Sequence, residues 1–509
     1  MGLLQRLLKG LRDDAPANPV SLANEAARCT HHGDYDRAIA LLNQVIERAA
    51  ELRTADLAAA YNIRGAAWHK KGDSVRGLED CDAAVRLAPS AAIVHVTRGA
   101  VLFEAGQVDR ALADLDDAIR MDPNVTDAYF NRGFVLMKKG ELERARADFD
   151  MALRLDPKQA LLFRGRALAH KRLGDRDRAL RDLDQALALD PQCLPALIDR
   201  AMLRSEAGND RDASIDLEIA VRLAPVDGDI RRRRAKLRRR LDDLKGAWLD
   251  LDEAVRHEPR NPHNYLERGM VTLGMGDAAA ALNDFNEAIQ LKPDYAAAFI
   301  GRGQVHHQRG NPNAALDDFD TAQSLEPDSS VVYSTRGLLL LQMGELDRAA
   351  ADFERSVELN PANALAFNNR GFLRETRCDY ASAIADYREA IRLSPDHPNA
   401  HKNLAWLLAT CSEDRIRNGR EALEHAERAL ELCQWKSSAW LEILAAAYAE
   451  AGDFEKAVEW QAKAIEQNRG PAQAELQARL ELYRGRNAFR GGPKACRGTT
   501  VAKNPIARP

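Results

Sequence analysis

Apolar residues return along most of this chain at three- and four-residue spacing, in paired runs separated by a polar break. In "AYFNRGFVLMKKG" and the following "ELERARADFDMALRLDP" that spacing predicts two amphipathic helices with a Gly-Glu turn between them. The pattern then begins again. Pro89, Pro123, Pro157, Pro191, Pro225, Pro259, Pro293, Pro327, Pro361 and Pro395 stand 34 residues apart every time. A small residue stands 24 positions before each: Gly65, Gly99, Gly133, Ala167, Ala201, Ala235, Gly269, Gly303, Gly337 and Gly371. Alanines at 111, 145, 179, 213, 247, 281, 315, 349 and 383 hold a second small site, and those at 84, 118, 152, 186, 220, 254, 288, 322 and 390 a third. Small side chains at fixed places let two helices approach closely. The reading is an all-α chain built from one antiparallel helix pair per 34 residues.

With each unit numbered from residue 58, position 7 is always arginine: Arg64, Arg98, Arg132, Arg166, Arg200, Arg234, Arg268, Arg302, Arg336 and Arg370. Position 23 is always aspartate: Asp80, Asp114, Asp148, Asp182, Asp216, Asp250, Asp284, Asp318, Asp352 and Asp386. Each lies one residue from a packing position, which predicts a bidentate ion pair joining the two helices. A ladder of arginines facing a ligand is the alternative. The ten matching acids favour structure.

An aromatic or apolar residue at position 4, Gly or Ala at 8, Ala at 20, an aromatic residue or Leu at 24, Ala at 27 and Pro at 32 resemble the tetratricopeptide repeat. The resemblance covers ten regular repeats over 58–397. A degenerate repeat is expected over 19–57, fitting at Gly33, Asp34 and Ala38, and two more over 398–470. The first of these carries an insertion; the second fits at Tyr448, Gly452 and Ala457. Residues 471–484 are expected to form a capping helix. From 485 to 509 the chain has basic residues, Gly and Pro but no acid, and a disordered basic tail is expected.

The resemblance implies a right-handed superhelical solenoid whose first helices line a concave face, with positions 2, 5, 9, 12 and 13 pointing into a groove. Those positions carry Phe103, Phe130, Phe134, Met137, Met202 and Met270 as apolar anchors, and Arg164, Lys171, Arg172, Arg232, Lys236, Arg239 and Arg240 as cations. Such a groove suits an extended peptide or helix with apolar and acidic residues. The same apolar side chains suit packing between repeats equally well. Position 9 is never Asn in the regular repeats, so the Lys and Asn clamp for chaperone C-termini in some relatives does not carry over.

The stretch "RRRRAKLRRR", residues 231–240, changes this picture least where it looks most unusual. In register it is the first helix of the sixth regular repeat, with Arg231 and Arg238 at normally apolar positions, so a softer joint is expected there. It is also what carries the alternative of nucleic-acid or polyanion binding. Against that, the 509 residues have a net charge of −4 and a pI near 6.4, and no aromatic residues are interleaved with the basic ones.

Chemistry is sparse. There is no Walker loop, HExxH or GxSxG, and repeats leave no room for a catalytic domain, so an enzyme, a cofactor and a metal site are not expected. The seven cysteines are scattered, which suits free thiols in the cytoplasm. At the N-terminus, residues 1–18 place Leu3, Leu4, Leu7, Leu8 and Leu11 on one helical face among Arg6, Lys9 and Arg12, suiting an apolar cap, a flexible segment or contact with a membrane surface. The function expected is a protein–protein interaction scaffold.

Overall fold

The computed structural model describes residues 18–435, 438–467 and 473–491. The expected membrane-surface segment, save Asn18, lies outside them. The described residues form 27 α-helices and two 3₁₀ turns, with no β-strand; the sole strand-type pairing among them is an isolated bridge between Cys411 and Gly491. The chain divides between Asp243 and Leu244 into two compact units, each a stack of antiparallel helix pairs. The division falls directly after the basic helix Gly228–Arg240.

A repeated turn chemistry makes the pairs. After the helix Thr54–Lys70, Gly72 takes φ 98°, a left-handed conformation that costs glycine nothing, and the chain reverses. Asp73 then caps the helix Ser74–Leu87 by accepting a hydrogen bond from the Arg76 amide at 3.0 Å. The arrangement recurs at Gly174 and Asp175 in the first unit and at Gly276 and Asp277 in the second. Cys378 sits at the same turn position with φ 63°, where its Cβ is crowded. Cys378→Gly should therefore stabilise the second unit by about 1 kcal/mol, read as a higher denaturation midpoint; an unchanged midpoint would show that the strain is relieved elsewhere.

Within a pair, a small residue on the first helix receives a large one from the second. A Cβ on Gly133 would lie 2.7 Å from Phe149 Cζ, and one on Gly337 would lie 2.8 Å from Phe353 Cε1. Both phenylalanines are fully buried. Ala167 and Ala201 instead share a core cluster with the smaller Leu183 and Leu217. First helices of consecutive repeats also touch one another, so in each unit they form a continuous face.

In the second unit the helices Pro398–Thr410 and Gly419–Leu432 are joined by a histidine pair. His401 Nε2 lies 3.0 Å from the Pro395 carbonyl and so carries a proton, leaving its Nδ1 to accept from His425 Nδ1 at 2.9 Å. Burial, and then the neighbouring His401, lower the His425 pKa; Glu421 and Glu424 oppose this, and Arg388 adds to it. The folded pKa lies below the unfolded one. The stability from this site is thus present above the unfolded imidazole value, about 6.5, and is lost as pH falls through the folded value, because the unfolded chain takes up the proton first. Between pH 7.5 and 5.5 the melting temperature should fall more for the wild type than for His425→Gln; equal falls would contradict this.

Beyond the helix Gln473–Arg484 the expectation of disorder from residue 485 needs correction. Residues 485–491 are held: the Gly491 amide donates to the Thr410 carbonyl at 2.8 Å, and Phe489 packs on Trp406 with ring centroids 6.1 Å apart. An aromatic ring and a backbone bond outweigh a composition that alone reads as a tail. Residues 492–509 lie outside the described residues.

Candidate peptide-binding surface

The paired charges lie in the seam between helices. In the first unit Arg64–Asp80, Arg98–Asp114, Arg132–Asp148 and Arg166–Asp182 are each 2.7 Å apart, and Arg200–Asp216 is 2.6 Å. In the second, Arg268–Asp284, Arg336–Asp352 and Arg370–Asp386 are at 2.7 Å and Arg302–Asp318 at 2.6 Å. Arg234 and Asp250 belong to different units. The contacts are two-pronged: Arg336 Nε donates to Asp352 Oδ2 at 2.8 Å while Nη2 donates to Oδ1. The remaining Arg336 nitrogen reaches Asp320 of the preceding repeat at 2.8 Å, and the guanidinium lies over the Tyr333 ring. Hydrogen bonding to Asp352 raises the Arg336 pKa. Burial raises that of the Asp284 carboxyl, against the pull of Arg268. With their carboxylates buried, these groups bind the repeats to one another and offer little to a ligand.

The apolar residues of the first helices divide. Met137 is 6% exposed and sits in a core cluster with Phe149, so its expected place in a groove is corrected: position 12 here packs inward. Phe130 and Phe134 stack edge-to-face at 5.0 Å, and each meets Phe149 in the same way. Phe103 and Met270 are partly buried against the cores of their own units. Met202 is 38% exposed.

Most of the expected groove cations already have partners. Arg164 pairs with Asp199 at 2.6 Å and Lys171 with Glu206 at 2.7 Å, each acid standing on the next first helix. Arg172 donates to the Met137 carbonyl at 2.9 Å. On the basic helix, Arg232 pairs with Asp229 at 3.2 Å and Arg240 with Asp210 at 2.9 Å. Lys236 and Arg239 differ: neither side chain pairs with any group among the described residues. The acids that neutralise Arg164 and Lys171 were not expected from the sequence; their signal is a spacing of one repeat plus one residue. Nor did the repeat pattern single out Trp406, Glu450 and Arg479, around which the C-terminal segment is held.

Among the described residues no helix is long and apolar enough to cross a membrane, and no three His, Cys, Asp or Glu side chains are placed to hold a metal ion. The six cysteines there are unpaired.

The repeat of helix pairs, seam charges and turns defines a class, and the family follows. A model described as "Tetratricopeptide repeat" matches residues 31–92, 96–160, 266–330, 334–398 and 374–410, and two others so described match 160–193 and 441–471. The chain belongs to the tetratricopeptide repeat family. Solved structures that the chain matches include the APC/C hetero-tetramer Cut9–Hcn1, at TM-score 0.47 and 15% identity over 91% of this chain and 96% of that one. Yeast Tom70 matches at TM-score 0.38 and 16% identity over 92% and 96%. A tetratricopeptide repeat protein from Parabacteroides merdae ATCC 43184 matches at TM-score 0.39 and 21% identity over 48% and 97%. No curated protein matches.

Proposed function

We propose that the chain is a non-catalytic protein-interaction scaffold that takes an extended peptide or helix, with apolar and acidic side chains, on its first-helix faces. One observation carries the acidic preference. On two neighbouring first helices of the first unit, Met202 is exposed and in contact with Arg233, while Lys236 and Arg239 have no partner among the described residues. An apolar anchor beside two unneutralised cations favours a ligand that is apolar and acidic by turns, with charge setting its approach.

Polyanion binding through residues 231–240 is the weaker reading. Arg231 is engaged by the Pro225 carbonyl, Arg233 by Asp229 and Arg238 by Asp243, as well as the two pairs above. So much local pairing leaves little charge to displace counterions from a phosphate backbone.

A fluorescent peptide alternating Leu and Glu, titrated at two ionic strengths against the wild type and a Lys236→Ser/Arg239→Ser variant, tests the reading. Loss of two charge contacts, about 0.7 kcal/mol each, should weaken binding about tenfold and flatten its salt dependence. Unchanged affinity and salt dependence would overturn it.

A further inference from the structure

The second unit holds a peptide in place already, and it is the chain's own. Past the last helix, Ala488 and Phe489 fold back onto the first helices of the last two repeats, Pro398–Thr410 and Ser438–Glu450. Three contacts of different kinds hold the segment. Phe489 lies against Trp406 with the Arg479 guanidinium beside both rings, 4.7 Å from the Phe489 centroid and 5.3 Å from that of Trp406. Arg490 Nη1 reaches Glu450 Oε2 at 2.5 Å. The Gly491 amide donates to the Thr410 carbonyl in a parallel bridge, the backbone contact an added strand would make.

The receiving side is built independently of the segment. Arg479 is 11% exposed and ion-pairs with Glu442. Arg417, equally buried, donates to the other Glu450 oxygen at 3.0 Å and to the Cys411 carbonyl at 2.9 Å. Arg479 and the Glu450 carboxylate are thus held by partners outside the segment, and Trp406 and Thr410 stand on a helix, which lowers the ordering cost of binding. The segment itself is shallow: Phe489 is only half-buried and Arg490 is exposed.

We propose that this face of the last two repeats is a docking site for an extended peptide in which an aromatic residue is followed by arginine, and that Ala488–Gly491 occupies it as a tethered competitor. The proposal rests on the reading that first-helix faces take peptides, at a different place and for a ligand of opposite charge. A short tether keeps the segment at an effective concentration of about millimolar. A free peptide of the same chemistry therefore binds the intact chain weakly and gains when the segment is released.

The test uses the full-length chain and a fluorescent peptide of the sequence of residues 487–491. In Phe489→Ser/Arg490→Glu the segment loses its ring and its new carboxylate faces Glu450. This variant should bind the probe at least about tenfold more tightly than the wild type, and adding Glu450→Gln should abolish the gain. Equal binding by variant and wild type, or none by either, would overturn the proposal. So would a variant that melts several degrees lower and binds no probe, since the segment would then be a fixed cap. The Leu–Glu peptide separates the two readings. If it binds the first unit as expected while the aromatic–arginine probe fails, only the present proposal falls; the reverse outcome leaves this site standing without the other.

Discussion

Arg336→Ala should destabilise the second unit by about 3 kcal/mol, the lower edge of what removing one partner from a buried ion pair costs. The magnitude follows from the asymmetry of the pair. Asp352 is 5% exposed and, among the described residues, ion-pairs with no cation other than Arg336, so once Arg336 is gone its carboxylate stays in the helix seam uncompensated. The converse change, Asp352→Ala, should cost less, because Arg336 keeps Asp320 at 2.8 Å and the Tyr333 ring. Equilibrium denaturation followed by circular dichroism reads both. Costs under 1 kcal/mol for Arg336→Ala, or the opposite order, would mean that the seam charges are screened by water.

Gly337→Ala should cost about 1–3 kcal/mol by overpacking, and Phe353→Leu should relieve it. The added Cβ would meet Phe353 Cε1 at 2.8 Å and Cδ1 at 3.0 Å, and Phe353 is fully buried. Leucine at that place reproduces the Ala167 with Leu183 and Ala201 with Leu217 combinations that the chain uses elsewhere. The double variant should therefore be more stable than the sum of the single changes by at least about 1 kcal/mol. Additive losses would show that ring and glycine do not set each other's size.

Helix pairing was legible because every repeat states it again: one glycine or alanine at position 8 is weak, ten at one spacing are not. Position 7 and position 23 could be matched for the same reason, since both lie in one repeat. What escaped was contact between repeats and contact with segments outside the lattice. Arg164 and Lys171 look like free groove cations until Asp199 and Glu206, on the following first helix, come beside them. Met137 is a surface residue by register, yet the larger side chains around Phe149 enclose it. Residues 485–491 were hardest, because composition describes a segment alone, whereas Phe489 is held against Trp406, distant in the sequence, and Gly491 against Thr410.

If the chain is a scaffold of the kind proposed, partners are taken on the first-helix face. A photo-crosslinking amino acid placed singly at Met202 or Lys236 on that face, and at Glu218 or Glu287 on exposed second-helix surface, tests it in native extract with and without nuclease. The same protein species should crosslink at the first two positions and not at the others, unaffected by nuclease. Crosslinks of equal yield on the second helices, or crosslinks that vanish with nuclease, would contradict it.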